Sequence, residues 1–255
     1  MYFNDIHILY YVVIGFIGLV VGKIVAWCNI RLPEKKKIIS IDFFEENKKG
    51  FSGNYIFMIL VAISYILLLY RYGWQSGSII QNLDLIKFIF LFPMLFLTIS
   101  IDAKHRIIPN RLCLTILEIG LIIAFLYGIT NINLVKDYIL GMFLGAAIFL
   151  LIMLVGWIIS GKEAMGLGDV KFMGAIGLFY GISSIVEISL LSFFIAAIFS
   201  VVILIIRFLV FKVKDEYIAF GPFLAISAII CSFLVPGTVL RVFLDVCKWI
   251  SNLIL

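Results

Sequence analysis

Charge is scarce in this sequence, and so are histidines and paired cysteines. Only 14% of the 255 residues are charged and 64% are hydrophobic, against roughly 45–50% apolar and about 25% charged in soluble domains. A soluble globular class is excluded. Spanning segments of about 20 residues each use up the length, so a separate soluble domain has no room. Cys28, Cys113, Cys231 and Cys247 form no Cys-x-x-Cys pair, which argues against a structural zinc site. The two histidines, His7 and His105, are not placed to activate Ser100 or Cys113, which argues against a serine or cysteine nucleophile. Residues 1–7 hold no basic side chain and lead into a run long enough to span, so no cleavable signal peptide is expected. There is no internal repeat, low-complexity tract or nucleic-acid motif. The net charge of +5 is therefore assigned to basic loops rather than to nucleic acid.

What the chain does have is a series of apolar runs. They predict an all-α polytopic membrane protein with about eight transmembrane helices and one integral domain over residues 1–255. Spans are expected at about 8–27, 55–70, 85–101 and 109–127. A turn at 131–137 follows, then a fifth span to about 160. The next apolar stretch reaches residue 211, too long for one crossing. It is divided at Tyr180-Gly181-Ile182-Ser183-Ser184 into spans six and seven, and span eight covers about 217–234.

The gaps after spans one, three, five and seven hold Arg31, Lys35, Lys36, Lys37, Lys48, Lys49, Lys104, Arg106, Arg111, Lys162, Lys171, Arg207, Lys212 and Lys214. The opposite gaps hold Arg71, Lys87 and Lys136. This bias puts the N-terminus outside and residues 31–54 in a short basic cytoplasmic loop. After Pro236-Gly237, Arg241, Asp245, Lys248 and Asn252 recur on one helical face, which predicts a C-terminal amphipathic helix at the membrane surface.

Two acids carry the chemistry. Asp169 stands in Met165-Gly166-Leu167-Gly168-Asp169-Val170-Lys171, where a polar loop becomes an apolar run, and Asp102 ends span three just before Pro109-Asn110. An acid at the mouth of a membrane helix is costly and needs a function and a partner. Both acids fall on the cytoplasmic side. Two nearby carboxyls sharing one proton can take a proton from water and give one to a carbonyl oxygen, which is what amide hydrolysis requires. This points to an intramembrane aspartic peptidase with Asp102 and Asp169 as its catalytic pair. Gly166 and Gly168 are expected to let the backbone turn and a substrate strand approach closely. Glu118, inside span four, reads equally well as a protonated core residue, and His105 and Arg106 read as topology determinants.

Other classes use paired acids as well. A proton-coupled transporter would place them near the bilayer midplane in duplicated halves, whereas here both acids lie at one face of an unduplicated chain. A presenilin-like protease shares Gly-x-Gly-Asp but carries a Pro-Ala-Leu signature near its C-terminus; Gly221-Pro222-Phe223 does not supply it.

The string Glu163 to Lys171, with Ile101-Asp102 and Pro109-Asn110, resembles the type IV prepilin peptidases. Gly22, Arg31-Leu32-Pro33 and Ala219-Phe220-Gly221-Pro222-Phe223 agree too, so the resemblance covers nearly the whole chain. It implies a bacterial inner-membrane enzyme, active at the cytoplasmic face, that removes the basic leader of prepilins or pseudopilins with no cofactor. Its implied site is Asp102 and Asp169, with Gly166, Gly168, Lys171 and Pro109 binding substrate or shaping the loop. Many members then N-methylate the new terminus with S-adenosylmethionine. Bifunctional members carry two Cys-x-x-Cys pairs, read as a zinc site, in the first cytoplasmic loop. This loop has none, and Lys23 and Ala26 stand where serine and asparagine are usual. Zinc is not expected, cleavage is expected to be retained, and methylation is expected to be weak or absent.

Two finer expectations concern the pair. Residues 170–180 make roughly 16 Å of helix against a hydrocarbon core near 30 Å, so Asp169 should be recessed. The dipoles of spans three and six should make Asp169 the base and leave the shared proton on Asp102.

Overall fold

The computed structural model describes residues 2–3, 6–34, 54–74, 79–161, 165–206 and 219–254. The expected basic loop at 31–54 lies mostly outside the described residues. A two-residue antiparallel pair, β1 (Tyr2–Phe3) with β2 (Ile6–His7), precedes eight helices among the described residues. They are α1 (Ile8–Arg31), α2 (Asn54–Tyr72), α3 (Ile79–His105), α4 (Asn110–Thr130), α5 (Ile132–Ser160), α6 (Leu167–Ile206), α7 (Gly221–Phe233) and α8 (Thr238–Ile254).

The chain is an all-α polytopic membrane protein. Six helices are long and apolar enough to cross a membrane, or seven if α7 and α8, bent by 103° at their short break, form one span. The eight spans expected from sequence differ from this count for two reasons. The helix α6 holds two of them, and α7 is too short to qualify alone.

Inside α6, Gly181 has φ 74° and ψ −177°, a conformation open essentially to glycine alone. The chain doubles back there. A Cβ on Gly145 of α5 would lie 2.7 Å from Met173 O and 3.0 Å from Ile185 Cγ1, so the limbs on either side of Gly181 pack on the same stretch of α5. The expected break at 180–184 is thus a reversal. Its first limb, residues 167–180, is about 21 Å long at 1.5 Å per residue. The Asp137 side chain of α5 occupies the space beside Gly181, and its Oδ1 accepts the Ile182 N–H at 3.4 Å, capping the returning limb.

Glycine also governs the tightest crossings. Cβ atoms on Gly18 and Gly22 would stand 2.6 and 2.4 Å from the α carbons of Ala62 and Met58, so α1 lies backbone against backbone on α2. Small residues serve this purpose in membranes, where association depends on close packing. This is the structural use of Gly22.

The helix α3 is central, packing against α1, α2, α4 and α7. Its buried Phe88, Leu91, Phe92, Leu95 and Ile101 meet Phe172, Met173 and Phe179 of α6 and Leu224 and Ala228 of α7 in one core. Lys87, placed by the sequence in an outer gap, instead lies buried in α3, bound to Asp84 at 2.9 Å and facing the rings of Phe88, Tyr127 and Tyr138. Lys136 is likewise within α5. The turn expected at 131–137 shrinks to Asn131, which ends α4 and caps α5 by accepting the Asn133 N–H at 2.9 Å.

The helix α8 is strongly amphipathic. Arg241, Asp245 and Lys248 are exposed along it, and so are Val242, Val246 and Trp249.

Candidate active site

Asp102 sits in the last turn of α3, where only 5% of it is exposed. The helix ends on Arg106, whose φ of 55° is the left-handed conformation of a C-terminal cap, with its N–H donating to Asp102 O at 2.8 Å. The short segment 107–109 then turns into α4. Pro109, expected in the first helical turn, stands just before it at the N-cap, where its carbonyl accepts from Leu112 N and Cys113 N.

Asp169 is the third residue of α6 and half-buried. A backbone hydrogen bond from Gly166 reaches its carboxylate, so the acid closes its own helix start in the manner of a capping box. The two acids are close enough for their charges to interact. Ile108 packs between their supports, since a Cβ on Gly168 would meet Ile108 Cβ at 3.4 Å and one on Gly221 would meet Ile108 Cδ1 at 3.1 Å.

Gly221 is the site residue whose role the sequence left unread. Its backbone N–H donates to Asp102 Oδ2 at 2.9 Å in a buried setting. It opens α7, with proline in the first helical turn, so the positive end of that helix faces the Asp102 carboxylate. The Gly-Pro pair before an apolar run was a signal for a helix start; what lay opposite it was not readable. Phe220 fixes this terminus by packing against Phe193 at 5.2 Å and Phe149 at 6.1 Å, and Tyr180 OH donates to Ala228 O at 2.6 Å further along α7.

This contact adds a positive helix end to the carboxyl that stands at the C-terminal end of α3. Each carboxyl thus faces one helix N-terminus, α7 for Asp102 and α6 for Asp169, while Asp102 also stands at the C-terminal end of α3. The proton is a property of the pair.

The two motif glycines stand at the turn into α6, where the Asp169 N–H donates to Gly166 O at 3.1 Å. Neither has a positive φ, so neither supplies a left-handed turn. Gly168 instead lets Ile108 come close, and Gly166 is exposed beside the Asp169 carboxylate, leaving that side of the acid open. Lys171 is exposed, and its Nζ donates to Asn110 Oδ1 at 3.1 Å, tying α6 to α4 above the pair. Glu118 is exposed on α4 and His105 is exposed at the end of α3, so neither joins the pair. Among the described residues, no group of three histidines, cysteines or acids could hold a metal ion.

Residues 89–206, which contain both acids, match the type IV leader peptidase family. The chain is similar to proteins named prepilin leader peptidase/N-methyltransferase. That of Legionella pneumophila is 32% identical over 172 residues, 68% of this chain and 56% of that protein. That of Xanthomonas campestris pv. campestris is 28% identical over 184 residues, covering 69% and 56%. That of Escherichia coli K12 is 29% identical over 143 residues, covering 56% and 60%. The chain spans about half the length of the curated relatives it matches. No solved structure matches it.

Proposed function

We propose that this chain, whose residues 89–206 match the type IV leader peptidase family, is an intramembrane aspartic endopeptidase that removes the leader of a type IV prepilin or pseudopilin. It works at the cytoplasmic face of a bacterial inner membrane. The observation that carries this reading is the meeting of Asp102 and Asp169 at one end of the bundle. Each is fixed by a backbone N–H, and Ile108 lies between their supports.

One carboxylate takes a proton from water as the oxygen attacks the scissile carbonyl carbon. The partner carboxyl gives its proton to the carbonyl oxygen, forming a gem-diol. Collapse returns one hydroxyl proton to the second acid and passes the first acid's proton to the leaving nitrogen, so the pair ends as it began. Gly221 holds Asp102 in place without contributing a side chain that would crowd the water. The open flank at Gly166 admits an extended peptide beside Asp169. A transporter reading has less support, because both acids stand at helix ends rather than midway along a broken helix.

The proposal covers cleavage only. The loop at 31–54 has no cysteine with which to hold zinc, and no step here is assigned to zinc or S-adenosylmethionine. Co-expression with a prepilin, followed by mass spectrometry of its N-terminus, tests the proposal. Loss of the leader supports it, and an intact leader with both proteins in the membrane refutes it.

A further inference from the structure

A cavity of 350 Å³ opens at the end of the bundle away from Asp102 and Asp169, bounded by the end of α2, the starts of α3 and α5, the reversal of α6 and the end of α7. From residue 87 to residue 102, α3 rises about 22 Å, so much of a membrane's thickness separates the cavity from the acids. Its walls carry both signs of charge. Lys87 is 5% exposed and holds its Nζ 2.9 Å from Asp84 Oδ1, which also accepts Tyr127 OH at 2.6 Å. Arg71, exposed in the last turn of α2, donates from Nε to Phe233 O at 3.4 Å. Asp137 of α5 stands half-buried against Gly181. Between Arg71 and Asp137 the rings of Tyr72, Phe88 and Tyr180 follow one another at 5.1 and 5.4 Å, with Gly181 next in the chain. None of these groups has a part in cleavage.

We infer that this cavity binds a zwitterion of the phosphoethanolamine class, with its phosphate at Arg71 and its ammonium at Asp137. The inference goes beyond the cleavage reading and does not depend on it. Ionisable groups in a membrane helix are costly and mark function, and a buried ion pair adds little stability over apolar residues of equal volume. The volume falls within the range of roughly 300–1,000 Å³ in which specific ligand pockets occur. Lys87 and Asp84 neutralise each other, which leaves one cation and one carboxylate to face an occupant. A purely anionic occupant would confront Asp137 and a purely cationic one Arg71, whereas a zwitterion meets both. The rings between them favour charges held apart by a short linker over the adjacent charges of an amino acid. The guanidinium fork matches phosphate oxygens. At the other end, Asp137 and the Ser184 hydroxyl accept hydrogen bonds and the aromatic faces attract a cation. A primary ammonium can donate there; a trimethylammonium cannot. The group is presented by the headgroup of a phosphatidylethanolamine or by free phosphoethanolamine.

Two measurements on the full-length protein test it. In the first, the protein is released from nanodiscs holding equal amounts of phosphatidylethanolamine and phosphatidylglycerol, and the retained lipid is read by native mass spectrometry. Phosphatidylethanolamine should be retained about tenfold over phosphatidylglycerol, and Arg71→Gln should abolish that preference. Ser184→Phe, which fills the cavity from another wall, should do the same and serves if Arg71→Gln does not fold. In the second, free phosphoethanolamine added to the unaltered protein in detergent should raise its thermal midpoint, whereas phosphocholine should not. Lipid preference without a response to the free compound identifies a headgroup as the occupant, and the reverse identifies the soluble compound; either supports the site. Equal retention of the two lipids with no shift by phosphoethanolamine would overturn the inference. So would a shift matched by phosphocholine, or a preference or shift that persists undiminished in either folded variant.

Discussion

The backbone N–H of Gly221 reaches Asp102 Oδ2 across 2.9 Å, and a Cβ at position 221 would stand 2.6 Å from that same oxygen. The start of α7 and the end of α3 are fitted to each other through this one glycine. Gly221→Ala must push the carboxyl off its donor. A hydrogen bond to a charged group contributes about 1.5–3 kcal/mol, so cleavage should fall roughly 10- to 100-fold while the variant still accumulates in the membrane. Rates of prepilin processing at matched enzyme levels would check this; an unchanged rate would mean that Gly221 does not position Asp102.

At Gly181 the demand is on the backbone. Its φ of 74° and the Asp137 carboxylate packed against it leave no room for a side chain. Gly181→Ala should therefore destabilise the protein by at least about 1–3 kcal/mol, seen as a lower thermal midpoint in detergent. Asp137→Ala, which clears the space but removes the cap, should make the double variant less unstable than the sum of the singles. Strict additivity would show that the two residues do not meet as described.

Much of this was legible in the sequence, and what was missed has a physical pattern. The break at 180–184 could be read because turn residues interrupt a run too long for one crossing. The acids stood out because a charge at a helix mouth is costly. The error at 131–137 came from treating Lys136 and Asp137 as loop residues on polarity alone, when Asp137 serves the reversal at Gly181 from inside a helix. Lys87 misled in the same way, since a buried ion pair with Asp84 looks like a loop charge in one dimension. Contacts such as that of Gly221 with Asp102 join residues 119 apart in sequence. Local patterning carries no trace of them.

Depth is a further consequence of the reversal. The first limb of α6 measures about 21 Å against a hydrocarbon core near 30 Å, so the start of α6 cannot reach the membrane surface if Gly181 lies at the opposite one. Cysteine placed at Asp169 in an otherwise cysteine-free protein should react more slowly with a bulky impermeant thiol reagent than cysteine at Lys36. Equal rates would put the acid at the surface and end the idea of a recess.

The segment between α1 and α2 should be dispensable for cleavage. Deletion of most of residues 36–49 is expected to leave leader removal within a few-fold of the intact protein, and zinc chelators should have no effect. Methylation of the new N-terminus should be weak or absent in the same assay. A chelator-sensitive peptidase, or stoichiometric methylation by purified enzyme, would contradict the respective half.

The most direct measurement is leader removal by Asp102→Asn and Asp169→Asn, each made alone and each quantified in membranes before the substrate is analysed by mass spectrometry. Both changes preserve shape and remove one exchangeable proton site, so each should abolish cleavage with no loss of the protein itself. A single variant that still trims the prepilin at an appreciable fraction of the normal rate would contradict the shared-proton pair, and with it the assignment of this site.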